Sequence, residues 1–209
     1  MEITSVAKYK GSTYEVELDN ERKIYLHADI IADFSIRSGM KLERDELRKI
    51  IYSSNFRRAY QRALYLLDYK DYSRKEMVDK LVSNYKNESL CSAIADKLEK
   101  NGIIDDERYA EKLARKFVET KKFGYRRAKR EIIRKGIGEF TAEDALEPYA
   151  EVFGENLMTL LETKHARFLT DKTDRKSVEK VKSALVRYGY GFDEINRAVR
   201  EYFESYLED

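Results

Sequence analysis

The feature that most constrains the fold is a short pattern that occurs three times along the chain. In each copy a basic helical stretch ends at a glycine, namely Gly102, Gly136 or Gly189. A few acidic or polar residues then lead into the next helical stretch. Glycine just past a helix end adopts the left-handed conformation that closes the helix, and nearby Lys or Arg side chains complement the negative end of the helix dipole. The pattern therefore predicts stacked helical units that bury their apolar faces against one another.

Composition agrees with a helical protein. Of the 209 residues, 42% are hydrophobic, 38% are charged and only one is proline, which favours exposed helices over loops. The formal net charge is only +2, so any surface for an acidic partner must come from local clustering. Cys91 is the single cysteine, which excludes an internal disulfide and a cysteine zinc cluster. The first residues lack the pattern of a secretory signal, and we expect a soluble cytoplasmic protein without membrane contact.

The chain divides into four predicted segments. Residues 1–55 contain β-favouring runs that predict two or three strands ending near residues 23–27, and helical spacing begins at Ala28. Three groups of three helices follow, in segments 56–104, 105–147 and 148–209, and Pro148 separates the last two. The predicted helices are 56–67, 74–84, 90–101, 107–120, 125–135, 142–146, 149–169, 177–188 and 193–207, with Ser73 and Thr141 as N-caps. The predicted fold is an all-α, elongated and curved array of three-helix repeats with a small N-terminal β-hairpin and helix cap.

An ordered set of short motifs resembles the RecX family of recombination regulators. The motifs are Arg62–Leu67, Tyr72–Met77, Lys80–Leu81, Leu98, Gly102–Asp106, Arg108–Ala110 and Gly124–Gly136. The resemblance implies a non-enzymatic protein of tandem three-helix repeats, which binds the RecA filament on single-stranded DNA, lies in its helical groove, and inhibits ATP hydrolysis and strand exchange. We also expect a monomer without a cofactor. It also implies a role in homologous recombination, DNA repair and the SOS response. The sequence departs from the family in an acidic stretch that lacks basic residues and contains Glu147, Glu151, Glu155 and Glu162.

Residues 121–135 form the strongest candidate contact surface, because eight of the fifteen are basic and only Glu131 is acidic. On a helix, Arg126, Arg130 and Arg134 lie in one line, which we name the basic row. Such a row suits a phosphate backbone or an acidic groove on a partner. The alternative is a solvated face paired with acids such as Glu119 and Glu131. The predicted core-facing side consists of Tyr125, Ala128, Ile132 and Ile133. The candidate partner- or DNA-binding residues are Lys121, Lys122, Arg126, Arg127, Lys129, Arg130, Arg134 and Lys135, together with Lys176 and Lys180 from a weaker basic stretch.

Two other functions stay open on the sequence. The basic row could bind single- or double-stranded DNA directly, with no protein partner. A metal-dependent nuclease centred on Asp105 and Asp106 is disfavoured, because no histidine or third well-spaced carboxylate accompanies them and acids at a first helical turn are typical caps. Tyr125 and Tyr190 are the tyrosines we select as candidates for base stacking.

Overall fold

Residues 1–205, which the computed structural model describes, form three strands followed by ten α-helices. The strands are β1 Ile3–Lys10, β2 Thr13–Leu18 and β3 Lys23–His27. The helices are α1 Ala28–Asp33, α2 Arg44–Leu67, α3 Arg74–Tyr85, α4 Glu88–Lys100, α5 Asp106–Arg115, α6 Tyr125–Ile133, α7 Glu139–Leu146, α8 Val152–Thr159, α9 Arg175–Tyr188 and α10 Phe192–Ser205. Residues 1–70 with 80–94 make one compact unit, and residues 71–79 with those from 95 onward make the other.

The N-terminal sheet is an antiparallel meander in the order β1-β2-β3, which confirms the predicted strands. Val6 pairs with Val16, and Val16 pairs with Ile24. The buried side chains of the sheet pack with those of α1 and of the first turns of α2 in one hydrophobic cluster. Helix α1 begins at Ala28, as the spacing predicts, because the backbone N–H of Asp29 donates to Nδ1 of His27 at the helix N-terminus.

Helix α2 begins at Arg44, well before the predicted start at Phe56. Its first turn is closed by a capping box, in which the backbone N–H of Glu43 donates to the side chain of Glu46 at 2.8 Å. The prediction was wrong because this box uses glutamate where serine or threonine is usual. Helices α3 and α4 lie close to their predicted positions. The Ser73 hydroxyl accepts the backbone N–H of Glu76 at 3.1 Å, so Ser73 caps α3 as predicted.

The three repeated glycines close their helices as predicted. Gly102, Gly136 and Gly189 all have positive φ, at 67°, 85° and 99°. Helix α7 differs from the prediction, because it begins at Glu139 and Gly138 occupies the N-cap position assigned to Thr141. The carbonyl of Gly138 accepts the backbone N–H of Ala142 at 3.0 Å, so the backbone of an extended glycine suffices to start this helix.

The last third of the chain contributes α8, α9 and α10 to a single core shared with α5, α6 and α7. Pro148 lies in a 3₁₀ turn, Glu147–Tyr149, ahead of α8. Helix α8 then continues through a π-helical turn, Leu160–His165, into a second 3₁₀ turn. The predicted helical end at Leu207 lies outside the described residues. Within residues 1–205, no helix has both the length and the apolarity needed to cross a membrane.

His165 makes stability depend on pH, because it is buried in the π-helical turn after α8 and its Nε2 has no hydrogen-bond partner among residues 1–205. Burial, followed by repulsion from Lys164 and Arg167, lowers the pKa of His165 below its usual 6.5. At this site the unfolded chain therefore binds more protons than the folded chain below about pH 6.5. The stability that the neutral histidine contributes is fully present above that pH, and we expect it to be lost as the pH drops. Urea unfolding at pH 8 and pH 5 should show this loss, and His165→Gln should reduce it. An equal pH dependence in the variant would contradict this origin.

Candidate partner-binding surface

Helix α6 is held in place by a close backbone contact at its N-terminus. The backbone N–H of Gly124 donates to the carbonyl of Tyr188, at the end of α9, at 2.9 Å. A Cβ atom at Gly124 would lie 2.6 Å from the carbonyl carbon of Gly189, a distance that real side chains do not adopt. Glycine is therefore required at position 124, and this requirement fixes the start of α6 against the end of α9.

Side chains strengthen the same junction. The guanidinium group of Arg127 donates to the carbonyl of Arg187 at 2.9 Å and lies 3.9 Å from the centroid of the Phe123 ring. The hydroxyl of Tyr190 donates to the carbonyl of Lys122 at 3.1 Å. Tyr190 is only 3% exposed, and burial raises the pKa of its phenol. The prediction that Tyr190 could stack on a base is therefore wrong.

The inward side of α6 is narrower than predicted. Ala128 and Ile132 are fully buried, whereas Tyr125 and Ile133 are 39% and 38% exposed. Placing these last two residues on the core-facing side was wrong, because the nine residues of α6 present only a narrow arc to the core. The ring of Tyr125 meets Phe153 edge-on, with 5.9 Å between the ring centroids, and so keeps one side open to solvent.

The basic row lies on the solvent side of α6. Arg126, Arg130 and Arg134 are all exposed. Arg134 forms an ion pair with Glu131 at 3.4 Å, but its side chain is 77% exposed, so water weakens the pair. In the part of the chain that the structure describes, Arg126 and Arg130 form no ion pair. The row therefore presents positive charge that the protein itself leaves largely uncompensated.

Two lysines of the same segment have structural partners instead. The ammonium group of Lys129 lies 2.6 Å from carboxylates of both Glu139 and Glu143 on α7, and these hydrogen bonds raise the pKa of Lys129. The ammonium group of Lys135 lies 2.9 Å from Glu76 at the start of α3. These bonds join α6 to its neighbours. They were not predicted, because the partners lie 10, 14 and 59 residues away in sequence.

The weaker basic stretch lies on α9. Lys176 and Lys180 are both exposed in the first half of the helix. The Lys180 ammonium group lies 5.1 Å from the centroid of the Phe168 ring. At 1.5 Å per residue, the two lysines are about 12 to 18 Å along α9 from Tyr188, where the helix meets α6.

The acidic pair at the start of α5 serves as helix caps. The carboxylate of Asp105 accepts the backbone N–H of Arg108 at 2.8 Å, which confirms the predicted cap. Asp106 accepts the backbone N–H of Arg74 at 2.8 Å and so caps a different helix, α3. Burial is the main reason why the pKa of Asp106 is raised. Among residues 1–205, no three His, Cys, Asp or Glu side chains are grouped so that they could hold a metal ion.

Removing either cap should weaken the fold. We expect Asp105→Ala to lower the free energy of unfolding by about 0.5 to 2 kcal/mol, the usual cost of a lost N-cap. Asp106→Ala should cost about 1 to 3 kcal/mol, because it leaves a partly buried N–H of α3 without its partner. Urea denaturation measures both effects, and the exposed Glu107→Ala variant is the control. Metal-dependent nuclease activity in the purified protein, lost in a well-folded Asp106 variant, would contradict the capping role.

The fold and the surface together define a class: a protein of small three-helix domains with an exposed basic helix face. Comparison with known proteins identifies the family within that class. The profile described as "RecX, second three-helix domain" matches residues 105–146, and "RecX, first three-helix domain" matches residues 59–89.

Comparisons with individual proteins point to the same family. The chain is 26% identical over 203 residues to "Regulatory protein RecX" of Clostridioides difficile (strain 630), and the match covers 95% of this chain and 94% of that protein. The chain is 33% identical in sequence to RecX from Lactobacillus salivarius, for which a crystal structure is known. The match covers 71% of this chain and 97% of the crystallised chain, with a TM-score of 0.65. A further crystal structure of a regulatory protein RecX, at 24% identity, shares the fold over 96% of this chain and 98% of its own, with a TM-score of 0.75. The chain belongs to the RecX family, and the predicted resemblance is confirmed.

Proposed function

We propose that this protein is a non-enzymatic regulator that binds the RecA filament on single-stranded DNA and inhibits ATP hydrolysis and strand exchange. The observation that carries the proposal is the basic row on a helix whose position is fixed at both ends. Membership of a family whose relatives are named regulatory proteins supports it. We further propose that it acts in the cytoplasm as a monomer, in homologous recombination, DNA repair and the SOS response.

The geometry of the row suits an acidic surface. Its three guanidinium groups follow one another at four-residue intervals, so the row is about 12 Å long. Each guanidinium group can hold a carboxylate or phosphate through two parallel N–H bonds. Because the buried side of α6 and its glycine contact hold the helix still, little conformational freedom is lost when a partner binds.

The structure lets us rank the candidate residues. We propose that Lys121 and the basic row make direct contacts, with Lys176 and Lys180 as a second contact area. Arg127, Lys129 and Lys135 support the surface instead, because each already holds a carbonyl or carboxylate of its own chain. Lys122 supports it through its carbonyl, which accepts the Tyr190 hydroxyl.

The test is the ATPase activity of RecA on single-stranded DNA with increasing amounts of the protein, beside DNA binding without RecA. We expect inhibition at concentrations that leave bare single- and double-stranded DNA unbound. Binding of bare DNA over the same range, with inhibition that follows DNA occupancy, would favour the second candidate, a helical protein that binds nucleic acid directly. The exposed arginines of the basic row support that candidate as well, since phosphates satisfy them equally.

An elongated and curved array of repeats also forms part of the proposal, since such a shape presents a long contact surface. A compact protein of this length would have a radius of gyration of roughly 17 Å. We expect small-angle X-ray scattering from the monomer to give a clearly larger value. A compact value would argue against a long contact in the filament groove.

A further inference from the structure

The unit that contains α6 also has a cleft of about 790 Å³ beside α8 and the start of α10. Its floor is apolar and is formed by Leu146, Phe153, Leu157, Met158 and Ala198. Two aromatic side chains that line it are open to solvent, since Phe192 is 62% exposed and Tyr125 is 39% exposed. Exposed apolar side chains that line a cleft commonly mark an interaction site.

The charged residues around the cleft are mostly acidic, although Arg126 of the basic row lies at its border. Five carboxylates and two guanidinium groups line it, namely Glu147, Glu151, Asp193, Glu194, Glu201, Arg126 and Arg197. Glu194 is partly satisfied, because it accepts the backbone N–H of Gly191 at 2.6 Å. Within residues 1–205, the other four carboxylates form no ion pair. Glu147 and Glu151 come from the acidic stretch for which the filament proposal has no use.

We propose that this cleft binds a basic segment of a partner protein, with an apolar side chain of the segment on the cleft floor and flanking Lys or Arg side chains against the carboxylates. A ligand that carries only charge would leave the apolar floor uncovered, so the cleft favours a ligand that also has an apolar side chain. The negative surround repels nucleic acid and acidic peptides, and it attracts a cationic segment. The cleft would thus give the protein a second contact surface, which goes beyond the proposed function and does not depend on it.

Gly154 offers a way to fill the cleft without disturbing the fold. It lies in α8 and lines the cleft, and a Cβ atom built on it meets no atom within 4 Å. Gly154→Leu would place an apolar side chain in the open space that the partner's side chain needs. Gly154→Ala is the matched control, because it makes the same backbone change and adds only a methyl group. Both variants should keep or raise the melting temperature, since glycine inside a helix is unfavourable.

The probe is a fluorescein-labelled peptide in which lysines flank a leucine and a phenylalanine, and its counterpart has glutamate in place of each lysine. Fluorescence anisotropy with the full chain should show binding of the basic peptide alone. We expect Gly154→Leu to weaken that binding by about tenfold or more, as for the loss of a central anchor contact. Gly154→Ala should bind within about twofold of the wild type. Equal binding of both peptides, no binding, or normal binding by Gly154→Leu would overturn the proposal.

Charge variants test the other half of the proposal. Replacing Glu147, Glu151 and Glu201 together by Gln should weaken binding of the basic peptide and flatten its salt dependence, whereas the exposed Glu162→Gln should not. Sedimentation of the free protein tests another occupant, a second copy of this chain. A dimer that Gly154→Leu dissociates would mean that the cleft binds another copy, and the proposal of a basic partner segment would then be wrong.

Discussion

Replacing Gly124 by alanine should lower the free energy of unfolding by roughly 3 kcal/mol, the upper range for forcing a methyl group into a filled site. The new Cβ atom would lie 2.6 Å from the carbonyl carbon of Gly189, and both groups belong to backbone that no side-chain rotation can move aside. The start of α6 would have to separate from the end of α9. The hydrogen bond from Gly124 to Tyr188 would then be lost as well.

Urea denaturation measures this effect, and Gly154→Ala is the control. That variant also replaces a glycine by alanine, but in open space on α8, and it should raise stability by about 0.5 to 1 kcal/mol. Gly189→Ala should be as harmful as Gly124→Ala, because its Cβ would lie 2.4 Å from that of Arg127 and its φ is 99°. Should Gly124→Ala unfold at the wild-type urea concentration, the close contact between α6 and α9 would have no part in holding the fold.

Replacing Arg126, Arg130 and Arg134 together by Gln should weaken binding to RecA filaments by on the order of tenfold or more. It should also remove much of the salt dependence, since each lost phosphate contact lowers the slope of log K against log salt by about one. The fold should hold, because Arg and Gln have similar helix propensities, and the buried residues Ala128 and Ile132 are untouched. Filament pull-down and ATPase inhibition at two salt concentrations measure the effect.

A charge-matched variant controls for net charge alone. Lys100, Lys116 and Arg200 are exposed cations on three different helical segments, and their joint replacement by Gln removes the same charge without touching the row. We expect this variant to inhibit like the wild type. A row variant that folds normally and also inhibits like the wild type at physiological salt would show that the row is only a solvated face. The contact surface would then have to be sought around Lys176 and Lys180.

Local chemistry explains what the sequence could predict. Gly102, Gly136 and Gly189 each end a helix with positive φ, because only glycine adopts that conformation without strain, and this made the helix ends visible. The strands and the cap at Asp105 follow from similarly short patterns. The exposed side of α6 was predictable for the same reason, since four-residue spacing alone places Arg126, Arg130 and Arg134 in line.

Contacts between distant parts of the chain explain what could not be predicted. Lys129 looked like a binding residue because its acidic partners lie on the next helix, outside the range of i,i+4 pairing. Tyr190 looked available for stacking, yet the end of α9 folds it against the carbonyl of Lys122. The sequence did not suggest a role for the acidic stretch that begins at Glu147. The cleft beside that stretch is formed only when α7, α8 and α10, which are separated in sequence, pack together.

The first turn of α3 is completed by residues made much later. The backbone N–H of Arg74 donates to the carboxylate of Asp106. The Ser73 hydroxyl donates to the carbonyl of Lys135, and the ammonium group of Lys135 donates to the Glu76 carboxylate. Asp106 follows Arg74 by 32 residues, whereas Lys135 follows Ser73 by 62 and Glu76 by 59. At about 5 to 20 residues per second, the ribosome needs roughly 2 to 6 seconds to reach Asp106 and roughly 3 to 12 seconds to reach Lys135. The start of α3 is therefore made before its partners, and its last partner, Lys135, is added only after α6. A nascent chain arrested before residue 135 should be cleaved by protease near residue 73, and a longer one should resist.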